Sequence, residues 1–174
     1  MDKARNKPLT WVKATDIEEE ASFRVLEPSP PSGVQAGTRT EQPTSARLLL
    51  VDDDPVILRT LVRQLKLHRP TIEVVVAADG TSAVELLKQN RFDVMITDLQ
   101  MPGMRGEELL VQAQELDPTL TCIVHSNQVL CMPSELRGRV RATLNKPSSI
   151  TEICDALDDA VRRADRLRDS LLWL

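Results

Sequence analysis

The hydrophobic pattern of the chain changes character at Arg47. Beyond it, short apolar runs alternate with stretches of helical spacing. Leu48-Leu49-Leu50-Val51 is continuous and apolar, as in a strand covered on both faces. Asp54-Pro55 follows, a capping acid with proline at the first helical position. Leu58, Leu61, Val62 and Leu65 then recur every three or four residues, which predicts a helix. Val74-Val75-Val76 predicts a second strand, Asp79-Gly80 a turn, and Ala83, Leu86 and Leu87 a second helix. Val94-Met95-Ile96 is strand three, Met101-Pro102-Gly103 a loop, and Leu109, Ala113 and Leu116 mark helix three. Cys122-Ile123-Val124 is strand four. A fourth helix within 133–141 is weakened by Pro133 and Gly138. Ala142-Thr143-Leu144 is strand five, and a long helix starts near Ser148.

Five strands alternating with helices imply an α/β fold, a parallel sheet with right-handed crossovers and helices on both faces. In such open sheets the ligand site lies beyond the carboxyl ends of the strands. Asp52 and Asp53 follow strand one, Asp98 strand three, Ser126 strand four and Lys146 strand five. Three acids, a hydroxyl and an ammonium therefore converge at one sheet edge. Clustered carboxylates repel, and a divalent cation together with Lys146 would relieve that repulsion. Mg2+ takes octahedral oxygen ligands and keeps several waters, which suits such a set. An aspartate is also a nucleophile for phosphoryl groups, whose transfer needs mainly positioning and charge neutralisation.

The bulk properties narrow the classes. With 174 residues, 41% of them apolar and 28% charged, the chain suits one domain plus extensions. A net charge of −4 gives no bulk reason to expect nucleic-acid binding. No apolar run reaches a membrane span, and the N-terminus lacks the apolar stretch of a secretory signal. Cys122, Cys131 and Cys154 form no Cys-x-x-Cys pair and read as reduced, mostly buried thiols of a cytoplasmic protein. Residues 1–46, with Pro28, Pro30, Pro31 and Pro43 among Ser, Thr, Gly and Glu, read as a disordered extension with small apolar islands at 9–12 and 23–26. Three segments result: the extension 1–46, a domain over 47–165, and an apolar continuation of the last helix over 166–174.

The stretches Val51-Asp52-Asp53-Asp54-Pro55, Asp93-Val94-Met95-Ile96-Thr97-Asp98-Leu99-Gln100-Met101-Pro102-Gly103-Met104 and Asn145-Lys146-Pro147 resemble the receiver domains of two-component response regulators. The resemblance covers roughly residues 47–165 and implies a flavodoxin-like sheet of order 2-1-3-4-5. It implies that Asp98 is the phosphoacceptor, that Asp52, Asp53, Asp98 and the backbone carbonyl of Gln100 hold Mg2+, that Ser126 is the switch hydroxyl, and that Lys146 contacts the phosphoryl group. It also implies a loop held by Pro147, in the family often through a cis bond. Asp54 reads as a helix cap, and His125 and His68 as structural or surface residues.

Four positions depart from the family pattern. Thr143 stands where an aromatic is frequent, Asn127 where a small residue follows the switch hydroxyl, Arg105 where an acid or amide is frequent, and Arg139-Val140 in place of Gly-Ala. The departures leave the phosphorylation chemistry intact and fall largely on the face of helix four, strand five and helix five. The expected protein is a stand-alone phosphoacceptor, not an enzyme. A histidine kinase or phosphotransfer protein would phosphorylate it, and it would act on an output protein by contact. The alternative is a receiver-fold scaffold indifferent to phosphorylation. Ile150, Ile153, Leu157, Ala160, Ala164, Leu167, Leu171 and Leu174 form a heptad-like seam whose second half, with Trp173, has no obvious surface of its own. That seam suggests a homodimer or a partner at the C-terminal helix.

Overall fold

The structure is a computed structural model and describes residues 46–171. The elements run β1 (Arg47–Val51), α1 (Pro55–His68), β2 (Glu73–Ala77), α2 (Gly80–Gln89), β3 (Val94–Thr97), α3 (Gly106–Leu116), β4 (Thr121–Ser126), α4 (Ser134–Arg137), β5 (Val140–Asn145) and α5 (Ile150–Leu171). All strand pairs are parallel, in the order β2-β1-β3-β4-β5. This is the flavodoxin-like arrangement that the sequence implied.

Strand periodicity explains the two layers. Successive side chains point to opposite faces, so a continuous apolar run feeds two cores at once. Leu49, Val51, Met95, Cys122 and Val124 pack with α2, α3 and Leu136 of α4. Leu48, Leu50, Val94, Ile96 and Ile123 pack with Leu58, Leu61, Val62 and Leu65 of α1 and Ile153, Leu157 and Ala160 of α5. Phe92 is buried in the first core, with the Arg47 guanidinium 5.1 Å from its ring centroid.

Helix starts follow from short polar side chains. Asp54 caps α1 by accepting from the Val56 N–H at 2.7 Å. Asp79-Gly80 is not an isolated turn: Asp79 caps α2, accepting from the Ser82 N–H and hydroxyl at 2.7 and 2.8 Å. Ser149 and Glu152 form a reciprocal capping box at the start of α5. Helix α4 is a single turn, as Pro133 and Gly138 require. Strand β5 extends beyond Ala142-Thr143-Leu144 at both ends, because backbone pairing with β4 continues past them. As the outermost strand, it alternates half-buried and exposed residues.

The seam of α5 divides. Ile153, Leu157, Ala160 and Ala164 are buried, whereas Leu167 is half-buried. The side chains of 171–174, the remainder of the seam, lie outside the described residues, as do Trp11, Phe23 and the two N-terminal apolar islands. Cys122 and Cys154 are buried and Cys131 is exposed, all three free; burial pushes the Cys122 thiol up to about 12. Among the described residues, no helix is long and apolar enough to cross a membrane.

The core makes a quantitative expectation. Leu157 is fully buried against the sheet, whereas Leu67 on α1 is 69% exposed. Leu157→Ala should destabilise the domain by about 2–5 kcal/mol. Leu67→Ala should change it by only about 0.5 kcal/mol. Urea unfolding of both variants checks the contrast.

Candidate functional site

Strand order reverses between β1 and β3, since β1 leads outward to β2 and β3 leads the other way to β4. The residues just past these strands are held by backbone pairing that continues beyond the strands themselves. The Asp52 N–H donates to the Ala77 carbonyl at 3.2 Å, the Asp98 N–H to the Val51 carbonyl at 3.1 Å, and the Lys146 N–H to the Ser126 carbonyl at 3.2 Å. These three residues are thus pinned to neighbouring strand ends, and their side chains start from fixed points.

Carboxylate oxygens of Asp52, Asp53 and Asp98 lie within 4.8 Å of one another. Asp52 and Asp98 are buried, whereas Asp53 is exposed and faces solvent at the mouth. The Lys146 ammonium donates to Asp52 Oδ2 at 2.6 Å and to Asp98 Oδ2 at 2.5 Å. Asp52 Oδ1 accepts from the Asp54 N–H, and Asp98 Oδ1 from the Gln100 N–H, both at 3.0 Å. Both oxygens of each buried carboxylate are therefore engaged, which fixes the planes of the two groups. Ser126 is fully buried at the end of β4, and its Oγ accepts from the Gln128 N–H at 3.3 Å. Asp54, as expected, turns away to cap α1.

Electrostatics follow from this geometry. Burial works against ionisation of Asp98, but the Lys146 ammonium, the Ser126 hydroxyl and the Gln100 N–H outweigh it and hold the carboxyl below its usual range. Burial likewise works against the Lys146 charge, and the bonds to Asp52 and Asp98 overcome it, raising that amine. His125 is buried on β4, with Nε2 unpaired among the described residues. Burial first, then the Lys146 charge, lower its pKa, while Asp52 and Asp98 pull the other way. A buried imidazole so lowered is neutral near pH 7, in keeping with a structural role. His68 stands at the exposed end of α1, its ring bonded to the Gln64 carbonyl.

One positioning residue escaped the sequence reading. Gly106 opens α3, and its N–H donates to the Leu99 carbonyl at 2.9 Å. A Cβ there would sit 2.1 Å from the Asp98 carbonyl oxygen and 2.6 Å from Leu99 Cα. Glycine lets α3 abut the backbone that carries Asp98. The only signal in the sequence was a poor helix former at a helix start. Gly103 in the preceding loop takes φ 80°, a left-handed conformation that glycine adopts freely. The peptide bond Lys146–Pro147 is cis. Of the departures, Thr143 lies exposed on β5, and Arg105 precedes α3 without a side-chain cap bond.

An acid cluster with a lysine at the switch point of a 2-1-3-4-5 sheet is the arrangement of receiver-type folds. The chain belongs to the response regulator receiver domain family, whose model matches residues 48–158. It is similar to the probable transcriptional regulatory protein NarL of Mycobacterium tuberculosis, 32% identical over 133 residues, covering 75% of this chain and 62% of that protein. It is also similar to the transcriptional regulatory protein GlrR of Escherichia coli, 32% identical over 122 residues, covering 68% of this chain but 27% of that protein. The chain thus spans only part of the curated relatives it matches. Among solved structures, one described as adenylate cyclase from Rhodopirellula baltica superposes with a TM-score of 0.67 at 32% identity, covering 74% of this chain and 97% of that one.

Two outcomes are expected. Gly106→Ala should destabilise the domain by about 1–3 kcal/mol through overpacking, although alanine is the better helix former by about 1 kcal/mol. Amide signals of Asp98, Leu99 and Gln100 should move with it, and an unchanged melting temperature would contradict the close approach. The second concerns ionisation without divalent cations. A depressed Asp98 contributes stability above its unfolded-state pKa, which is lost as the pH falls through its lowered folded value. Raised Lys146 contributes stability below its ordinary pKa, lost as the pH rises through its folded value. Lys146→Met should therefore raise the Asp98 pKa and weaken the acid-limb loss of stability, as read by carboxyl-carbon NMR titration and acid unfolding.

Proposed function

We propose that this chain is a phosphoacceptor response regulator that receives a phosphoryl group on Asp98. The observation that carries the reading is the triangle of Lys146 with Asp98 and Asp52, 2.5 and 2.6 Å away, beside the exposed carboxylate of Asp53. One ammonium faces three carboxylates, so the site carries excess negative charge and offers only oxygen donors. That donor set fits Mg2+. Asp52, Asp53, Asp98 and the carbonyl of Gln100 would hold the ion, which when bound supplies charge neutralisation for an incoming phosphoryl group.

The chain's own groups do the rest. A carboxylate oxygen of Asp98 forms a bond to phosphorus as the bond from phosphorus to the donor's imidazole nitrogen breaks, leaving the phosphoryl group on Asp98. The lowered pKa of Asp98 keeps the nucleophile ionised at neutral pH. Lys146 turns from the carboxylate toward the new phosphoryl oxygens, and the Ser126 hydroxyl provides a further donor. The phosphoryl donor is a histidine kinase or a phosphotransfer protein, and the signal passes to an output protein by contact. The C-terminal helix is a candidate surface for that contact or for a homodimer.

A second reading has its own support. Thr143 is exposed where the family often has an aromatic, and α4 is a single turn, so the face of α4, β5 and α5 lacks the usual reporter of the switch. A receiver-fold scaffold, acting independently of phosphorylation, is consistent with that face.

One experiment separates the readings. Incubated with acetyl phosphate and Mg2+, the wild type should gain one phosphoryl group by intact mass, and the near-isosteric Asp98→Asn should gain none while remaining folded. Asp53→Ala should weaken Mg2+ binding about tenfold or more, a loss of roughly 1.4 kcal/mol. A wild type that gains no phosphoryl group, or backbone NMR shifts indifferent to phosphorylation, would favour the scaffold.

A further inference from the structure

At the amino edge of the sheet, opposite the acid cluster, arginines gather around the start of β5. A cleft of about 610 Å³ opens there beside β5, between the end of α3 and the second half of α5. Arg137, Arg139 and Arg163 line it, over a floor that includes Leu120 and Leu167. Among the described residues, no aspartate or glutamate lines the cleft. Arg141, also at its wall, is ion-paired with Asp159. The other three have no carboxylate partner among the described residues: Arg137 reaches the Leu130 carbonyl and Arg139 the side chain of Gln114, both at 3.3 Å. Three unneutralised guanidinium groups around one cleft are an unusual concentration in a chain of net charge −4.

We propose that this cleft binds the chain's own acidic segment Asp16-Ile17-Glu18-Glu19-Glu20. Three observations select it. Its four acids in five residues complement the arginines, whereas the first residues of the chain, with Lys3, Arg5, Lys7 and Lys13, would be repelled. Ile17, and Phe23 just beyond, match the apolar floor. The point of attachment is also near. Ala46 leads into β1 at the same amino edge, its carbonyl bonded to the Glu73 N–H. From β1 to β5 is three strand spacings, or about 14 Å. The stretch 21–45 covers that distance easily. A segment tethered so closely meets the cleft at an effective concentration of about millimolar, which favours it over a free acidic peptide.

The test uses the full chain. Glutamyl endoprotease cleavage at Glu18, Glu19 and Glu20 should be slow at low salt. It should speed up about tenfold in Arg139→Glu/Arg163→Glu, since cleavage tracks the population of the released segment. About 0.5 M salt should have the same effect on the wild type, because such exposed charges are screened. Both arginines are peripheral, and an unchanged melting temperature will show that the variant folds. In parallel, Glu18→Gln/Glu19→Gln/Glu20→Gln should shift the amide signals of Gln114, Arg139, Arg163 and Leu167 and leave those of Asp52, Asp98 and Lys146 in place. Equal cleavage rates in wild type and arginine variant, or amide shifts away from the cleft, would overturn the proposal. Protection that grows with protein concentration would also overturn it, by showing that a second copy supplies the segment.

Discussion

Three carboxylates crowded at one sheet edge need a counter-charge, and the fold delivers it from a distant point in the sequence. Lys146 follows β5, yet it bonds acids that follow β1 and β3, with β4 lying between. The contact exists only if all four strands stand in that order and register. The side chains of Asp52, Asp98 and Lys146 are each 9% exposed or less, so removing the lysine would leave buried negative charge uncompensated. The backbone bonds that pin Asp52, Asp98 and Lys146 to neighbouring strand ends set the same geometry from beneath. Gly106 completes it by letting α3 approach the Asp98 backbone.

The carboxyl edge of the sheet and the β4–β5 corner of its amino edge differ in charge. Acids gather where the strands end, and arginines gather where β4 and β5 begin. Between them lies a double core that is almost wholly aliphatic, with Phe92 its one aromatic member. Such a core stands between the two charged regions. The face of α4 and β5 is thinly covered: α4 is one turn long, and Leu130 is 83% exposed beside it.

Much of this was legible because alternation and strand ends are local signals. The run Leu48-Leu49-Leu50-Val51 announced a doubly covered strand, and the first residues beyond each such run were the ones that met. Pro133 and Gly138 announced a stunted α4. What stayed hidden depends on contacts between residues far apart in the chain. Gly106 matters through an approach to the Asp98 carbonyl that no spacing encodes. The arginine cleft joins 137, 139 and 163 with the end of α3, and only the first two are neighbours in sequence. Asp79-Gly80 looked like a turn because the same residue types serve turns and helix caps, and only the bonds to Ser82 decide between them.

Strand β5 has one side without a strand partner among the described residues. Cys122 pairs with Val140 and Ile123 with Ala142, so Arg141 is skipped and the strand carries a bulge there. An open edge is a template on which another chain can add a strand. Here that template is interrupted by the bulge and flanked by Arg139 and Arg141. A second copy arriving edge to edge would meet a broken ladder and like charges. Basic side chains and a skipped residue on an outer strand are features that disfavour such strand addition.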